Sequence, residues 1–300
     1  MNMPLDDFLT TVYVITDDWY KAKGSHLLKG KPGVHPVLSD SEVLTLAIGQ
    51  PFNGTHFERA WVRFIHNNLK HLFPNMLSQS QYNRRVRMLF RLLEKLREHL
   101  LEKMDARSDP YRIVDSAPII VRHWRRYGPG HLALPGATLG HCAAKRMTFY
   151  GYRLLLLVRL DGLPTDWVLI PANVDEREGA QDLLDDYCNL IVVGDKGFLD
   201  KKWQDESLEG SHHNEILTPK RRNQHIQNPK GLNKLICHFR ARIETTFAQL
   251  DGQFHLEHPE AHTLWGLWTR IVMRMAAITM GAWLNIVAGH PMLQIANLSV

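Results

Sequence analysis

Apolar positions recur every three or four residues through the first third of the chain. Ser39 to Glu42 has the spacing of a capping box and opens a helix through Val43, Leu44, Leu46, Ala47 and Ile48. Trp61, Phe64, Ile65, Leu69 and Leu72 predict a second helix, which Pro74 terminates. A third is expected over residues 81–104, with Val86, Leu89, Leu92, Leu93, Leu96 and Leu100 as its apolar stripe. Near Asp109-Pro110 the pattern changes. Residues 111–121 read as a strand with Asp115 near its middle. Residues 151–160 and 165–171 read as two strands joined at Asp161-Gly162.

A helix is expected over 176–187. The short apolar run 190–193 reads as a strand buried on both faces, and 215–218 as a further strand. In the stretch 232–250, Ile236, Phe239, Ile243, Phe247 and Leu250 step at helical spacing. The order predicts an α/β fold: a mixed sheet with flanking helices, preceded by an all-α N-terminal domain. The boundary is placed between 108 and 109. Residues 1–108 form a helical domain, and 109–300 the catalytic domain with C-terminal helices.

Composition adds a bias toward polyanions. The 300 residues carry 36 Lys and Arg against 31 Asp and Glu, a net +5. Arg84, Arg85 and Arg87 head the third helix, and Lys220, Arg221 and Arg222 form a second cluster. Cys142, Cys188 and Cys237 lie far apart without a CxxC pair, against a zinc site or disulfide framework and in keeping with a reducing compartment. Acids stand where a signal peptide needs positive charge. The most apolar stretch, 271–289, is preceded by Arg270 and broken by Arg274 and Asn285, so it reads as a buried amphipathic helix with no membrane role. No GxxxxGK or GxGxxG phosphate loop is present.

Three carboxylates occupy unusual places. Asp115 interrupts an apolar strand, Asp195 follows directly on Leu190-Ile-Val-Val-Gly194, and Glu244 adjoins the apolar seam of the late helix. Each alone has an ordinary reading: Asp115 as an ion-pair partner, Asp195 as a turn cap, Glu244 as a surface residue paired with Arg240 one turn earlier. Taken together they suggest a site for hard divalent cations, because converging carboxylates are costly to bury uncompensated.

The chain resembles the DDE transposases of bacterial insertion sequences, in the group typified by insertion sequence nine-eighty-two. The resemblance runs nearly the whole length and rests on Ile113-Val-Asp-Ser-Ala-Pro-Ile, on 145–156 (KRMTFYGYRLLL), and on Pro171-Ala-Asn-Val-Asp-Glu-Arg-Glu. Val193-Gly-Asp-Lys-Gly-Phe and 240–250 (RARIETTFAQL) with the trailing Gln253-Phe-His-Leu complete it. Phe198 departs from the Tyr of many relatives. The resemblance implies a ribonuclease-H-like fold with Asp115, Asp195 and Glu244 as catalytic metal ligands. They would hold two Mg²⁺ ions, for which Mn²⁺ can substitute, with Asp115 on both ions and one further acid on each. The implied reaction is attack by water at the element end, then attack of the freed 3′-hydroxyl on target DNA.

The implied partners are double-stranded DNA, as terminal inverted repeats and target, and further copies of the chain. The implied location is the bacterial cytoplasm, on the nucleoid. Lys145, Arg146, Lys220, Arg221, Arg222, Arg240 and Arg242 are candidate phosphate contacts, and the helical domain carrying Arg84, Arg85 and Arg87 is a candidate reader of DNA ends. Two other readings share the sequence features: a structure-specific nuclease of the same fold, and a DNA-binding derivative without catalysis.

Overall fold

The computed structural model describes residues 3–27, 36–55, 57–123, 125, 134–143, 145–221, 223–225 and 227–298. Two compact units divide the chain. One comprises residues 1–104, 250–256 and 263–300; the other comprises 105–249 and 257–262.

The first unit is helical. Its members are α1 (Leu5–Ala22), α2 (Asp40–Phe52), α3 (Glu58–Asn68), α4 (Gln79–Lys103) and α8 (Leu264–Val287; α5 to α7 belong to the second unit). The capping box of α2 forms as its sequence dictates: Ser39 Oγ accepts from the Glu42 N–H at 3.2 Å, and Glu42 accepts from the Ser39 N–H at 2.6 Å. Helix α3 stops at Asn68, before Leu72. Leu89, Leu93, Leu96 and Leu100 of α4 are buried, and α4 and α2 both pack against α8. Helix α8 is buried on most sides, with Arg274 and Asn285 among its buried residues. By length and composition alone it is able to cross a membrane, but 78% of its most apolar window is buried within the fold, as expected of a core helix.

The sequence-based boundary at 108/109 falls four residues beyond the observed divide at 104/105. The final helix, read from the sequence at the end of the catalytic half, packs with the N-terminal helices. A helix buried all round needs apolar partners on several sides, and the stripes of α2 and α4 supply them. Helix α1, with Phe8, Leu9 and Val12 fully buried, was not anticipated.

The second unit is built on a six-stranded sheet. Its strands are β1 (Tyr111–Arg122), β2 (Thr138–Cys142), β3 (Met147–Val158), β4 (Pro164–Pro171), β5 (Ile191–Val193) and β6 (Glu215–Leu217). The order is β2-β3-β1-β5-β6, with β4 also paired to β3. Strand β3 runs antiparallel to β1, β2 and β4, while β5 lies parallel to β1, and β6 parallel to β5. Asp115 pairs with Leu156 in the β1–β3 ladder. Gly151 of β3 cannot bear a side chain, since a β-carbon there would lie 2.0 Å from the Ile119 carbonyl oxygen.

Helices α5 (Glu176–Leu184), α6 (Lys201–Glu209) and α7 (Leu232–Gly252, in this unit through Gln249) complete the layer. Val114, Leu155, Leu157, Ala180, Leu184, Val192 and Phe198 form one buried cluster between sheet and helices. Phe198 is fully buried with its ring 6.4 Å from that of Trp203, so a hydrocarbon ring suits this position without any hydroxyl to satisfy.

Candidate active site

Burial on both faces makes β1 and β5 apolar, and that leaves few places where a carboxylate is tolerated. Asp115 sits on β1 where the burial pattern relaxes, and its side chain is 19% exposed. Asp195 lies two residues beyond β5 and caps the short 3₁₀ turn Lys196–Phe198, its Oδ1 accepting from the Gly197 N–H at 2.5 Å. Because β5 is parallel to β1, the residue leaving β5 is carried to the side of β1 on which Asp115 lies. Glu244 is on α7, next to the buried Ile243, and is itself mostly exposed.

One cation links all three. The Arg240 guanidinium lies 3.8 Å from Asp115 Oδ2, 4.0 Å from Asp195 Oδ2 and 3.7 Å from Glu244 Oε1. The expected Arg240–Glu244 pair across one helical turn is thus present, but it is one part of a larger arrangement. Arg240 is itself 22% exposed, and its Nε is buried without a hydrogen-bond partner among the described residues. Burial raises the Asp115 carboxyl to about 7, opposed by the Ser116 N–H and by Arg240, and reinforced by the negative charges of Asp195 and Glu176. A carboxylate so poised gains more from a divalent cation than from a single guanidinium.

Among the described residues no three Asp, Glu, His or Cys side chains converge closely enough to coordinate an ion directly. The three acids instead stand around the Arg240 guanidinium, 3.7 to 4.0 Å from it. Their hard oxygens and their common orientation toward one positive group fit a divalent metal that displaces the guanidinium.

The chain matches the transposase DDE domain family over residues 107–280. It belongs to that family. A cryo-EM structure of the piggyBac transposase synaptic complex with hairpin DNA superposes with a TM-score of 0.52 at 10% identity, covering 96% of this chain and 76% of that one. The match establishes for the transposase a ribonuclease-H-like fold. A crystal structure of a pre-cleavage Mos1 transpososome is 15% identical over 91% of this chain and 86% of that one, with a TM-score of 0.23. No curated protein matches the chain.

The other basic residues of the transposase divide into engaged and exposed groups. Arg85 pairs with Asp40 at 2.5 Å, and Arg87 lies 4.7 Å over the Trp265 ring and donates to Thr263 Oγ1 at 3.4 Å. These contacts hold α4 in its unit, which weighs against reading Arg85 and Arg87 as DNA contacts. Lys145 is paired with the nearly buried Glu257. Arg84, Arg146, Arg221 and Arg242 are exposed and Lys220 is partly so; Arg222 lies outside the described residues.

Sequence reasoning passed over Glu176. Its side chain accepts from Ser116 Oγ at 2.9 Å, beside Asp115, and pairs with Arg153 of β3. Gly197 was also missed. A β-carbon there would stand 2.8 Å from Asp195 Oδ1, and Asp195 is what must yield. Gly197→Ala is therefore expected to slow DNA cleavage roughly tenfold by displacing a positioned carboxylate, with the melting temperature unchanged. Single-turnover cleavage and thermal unfolding measured side by side check this, and an active Gly197→Ala would show that Asp195 needs no exact placement.

Proposed function

We propose that this transposase cuts the ends of an insertion sequence and joins them to target DNA, using Asp115, Asp195 and Glu244 as its catalytic carboxylates. The observation that carries the reading is the gathering of these three acids, from β1, from the turn after β5 and from α7, around one guanidinium. The motifs around them support an element of the insertion sequence nine-eighty-two group, with the chain acting on the nucleoid of a bacterial cytoplasm.

The three acids would hold two Mg²⁺ ions, or Mn²⁺ in their place, which when bound supply Lewis-acid polarisation of the phosphodiester and an activated attacking oxygen. Asp115 is the interior ligand, fixed by its strand and by the Ser116 N–H. Asp195 is held by the Gly197 N–H, so two ligands are oriented before substrate arrives. Glu244, on an exposed helical face, closes the site from the solvent side. Arg240, once displaced from the acids, is placed to neutralise a phosphate at the same centre.

Exposed Arg84, Arg146, Arg221 and Arg242, with Lys220, are suited to backbone phosphates, where contacts add affinity and salt dependence rather than base selection. Residues 1–108 are the DNA-end-binding candidate, and assembly of several copies on paired ends accords with the proposed reaction.

The test is incubation of the purified chain with labelled DNA bearing the inverted repeat that flanks its gene, with Mg²⁺ and with EDTA. Metal-dependent cutting at the boundary with joined products, absent in Asp195→Asn, is the expected result. Cutting without joining assigns a nuclease instead. Specific binding without metal-dependent cleavage removes the catalytic reading.

A further inference from the structure

Glu176 is the first residue of α5, after the N-cap Asp175. A carboxylate in the first turn of a helix is ordinary, because it complements the helix dipole. The surroundings of this one are not ordinary, because it bonds to the residue after Asp115 and lies beside the turn that holds Asp195. Its Oε1 accepts from Ser116 Oγ at 2.9 Å, and the Ser116 N–H donates to Asp115 Oδ1 at 2.8 Å. Its Oε2 lies 3.4 Å from where a β-carbon of Gly197 would stand, and the Gly197 N–H holds Asp195.

Arg153, in the middle of β3, secures Glu176 from behind. It donates to Glu176 Oε1 at 2.5 Å, to the Ala172 carbonyl at 3.1 Å and to the His141 carbonyl at 2.8 Å, so it also ties in β2 and the end of β4. The side chains of Glu176 and Arg153 are 23% and 19% exposed, so the pair is poorly screened by solvent.

We propose that Glu176 is a positioning residue of the catalytic site, orienting Asp115 through Ser116, bracing the Asp195 turn at Gly197, and adding negative charge next to the metal ligands. The inference rests on the reading of Asp115, Asp195 and Glu244 as those ligands. Outer groups that hydrogen-bond to ligands tune both geometry and affinity, and their loss typically costs about 10–100-fold in metal binding or activity. A plain ion pair between Glu176 and Arg153 makes a different prediction. In that case the harm in Glu176→Gln comes from stranding the Arg153 charge, and removing that charge as well relieves it.

The experiment is calorimetric titration of the full chain with Mn²⁺ in the absence of DNA, alongside thermal unfolding of the metal-free proteins. Glu176→Gln keeps the shape and the acceptor oxygen but loses the charge, and is expected to weaken Mn²⁺ binding about tenfold or more. Glu176→Gln combined with Arg153→Gln is expected to remain equally weak. Ser116→Ala, which cuts the link to Asp115 without stranding any charge, is expected to weaken binding severalfold, and serves if Glu176→Gln does not fold.

Mn²⁺ affinity within twofold of native in Glu176→Gln, or recovery of native affinity in the double variant, overturns the inference while leaving the three-carboxylate site intact. A native chain that takes up no Mn²⁺ overturns the site reading and this inference with it.

Discussion

Asp115→Asn is expected to abolish DNA cleavage and, in the metal-free protein at pH 8, to raise the melting temperature. The first effect follows from loss of the interior ligand. An amide oxygen is a weaker donor with no charge, and several kcal/mol of transition-state stabilisation disappear, a rate loss on the order of 10³-fold or more. The second follows from the environment of the carboxyl. Burial lifts its titration from the ordinary 3.8 to about 7.

An acid with a raised value in the folded state binds its proton more tightly there than in the unfolded chain. Stability contributed at this position is therefore full below about pH 4 and is lost as the pH rises toward 7, above which the deficit stays constant. That deficit is on the order of 4 kcal/mol at most. Asn carries no charge to bury, so the gain of the variant over native should grow between pH 4 and 7 and then level off. Mn²⁺ should reverse the order above pH 7, since only the native site gains from ligand binding. A variant less stable than native at pH 8 without metal would show that the Asp115 charge is already compensated.

The three acids that gather around Arg240 were legible in the sequence for a physical reason. Strands β1 and β5 are built of β-branched and aliphatic residues, so Asp115 and Asp195 stood out as polar interruptions of apolar runs. Glu244 stood out less, and became informative only through its place beside the Ile236–Ile243–Leu250 seam. Glu176 was hidden because Asp175-Glu176-Arg177-Glu178 looks like any acidic helix start. Its proposed role depends on β1 and the turn after β5 being adjacent in space, which periodicity along one segment does not report.

Local spacing is equally silent about what the cations touch. Spacing placed Arg85 and Arg87 off the apolar stripe of α4, but Asp40 and Trp265, which engage them, are distant in sequence. Strand β2 escaped notice because Thr138–Cys142 contains only one strongly apolar side chain and is a strand by virtue of its pairing with β3. The final helix reads as buried from its composition, but α2 and α4, which pack on it, lie far back in the sequence, where local pattern cannot name them.

Arg240→Gln is expected to separate metal binding from DNA cleavage, tightening the first and impairing the second. In the metal-free protein the guanidinium is, among the described residues, the positive group shared by Asp115, Asp195 and Glu244, at 3.7–4.0 Å from each. A divalent ion entering the same space meets a positive charge at contact range. At an effective dielectric near 20, even two unit charges about 4 Å apart repel by roughly 4 kcal/mol, and more for a divalent ion, so Arg240 must swing aside before metal is held. Removing it deletes that step, and Mn²⁺ affinity should rise about tenfold or more. Cleavage should nevertheless fall by about 10²–10³-fold, because the displaced guanidinium stays beside the acids, where it can meet charge developing on the phosphate. Without metal, Arg240→Gln should melt at a lower temperature than native above pH 7, where three acids would share no counter-charge, and the difference should shrink as Asp115 takes up its proton. Calorimetric titration with Mn²⁺ and single-turnover cleavage at saturating metal measure the two halves separately. Weaker Mn²⁺ binding in Arg240→Gln would mean that the arginine helps to assemble the acids rather than standing in the place of the ion.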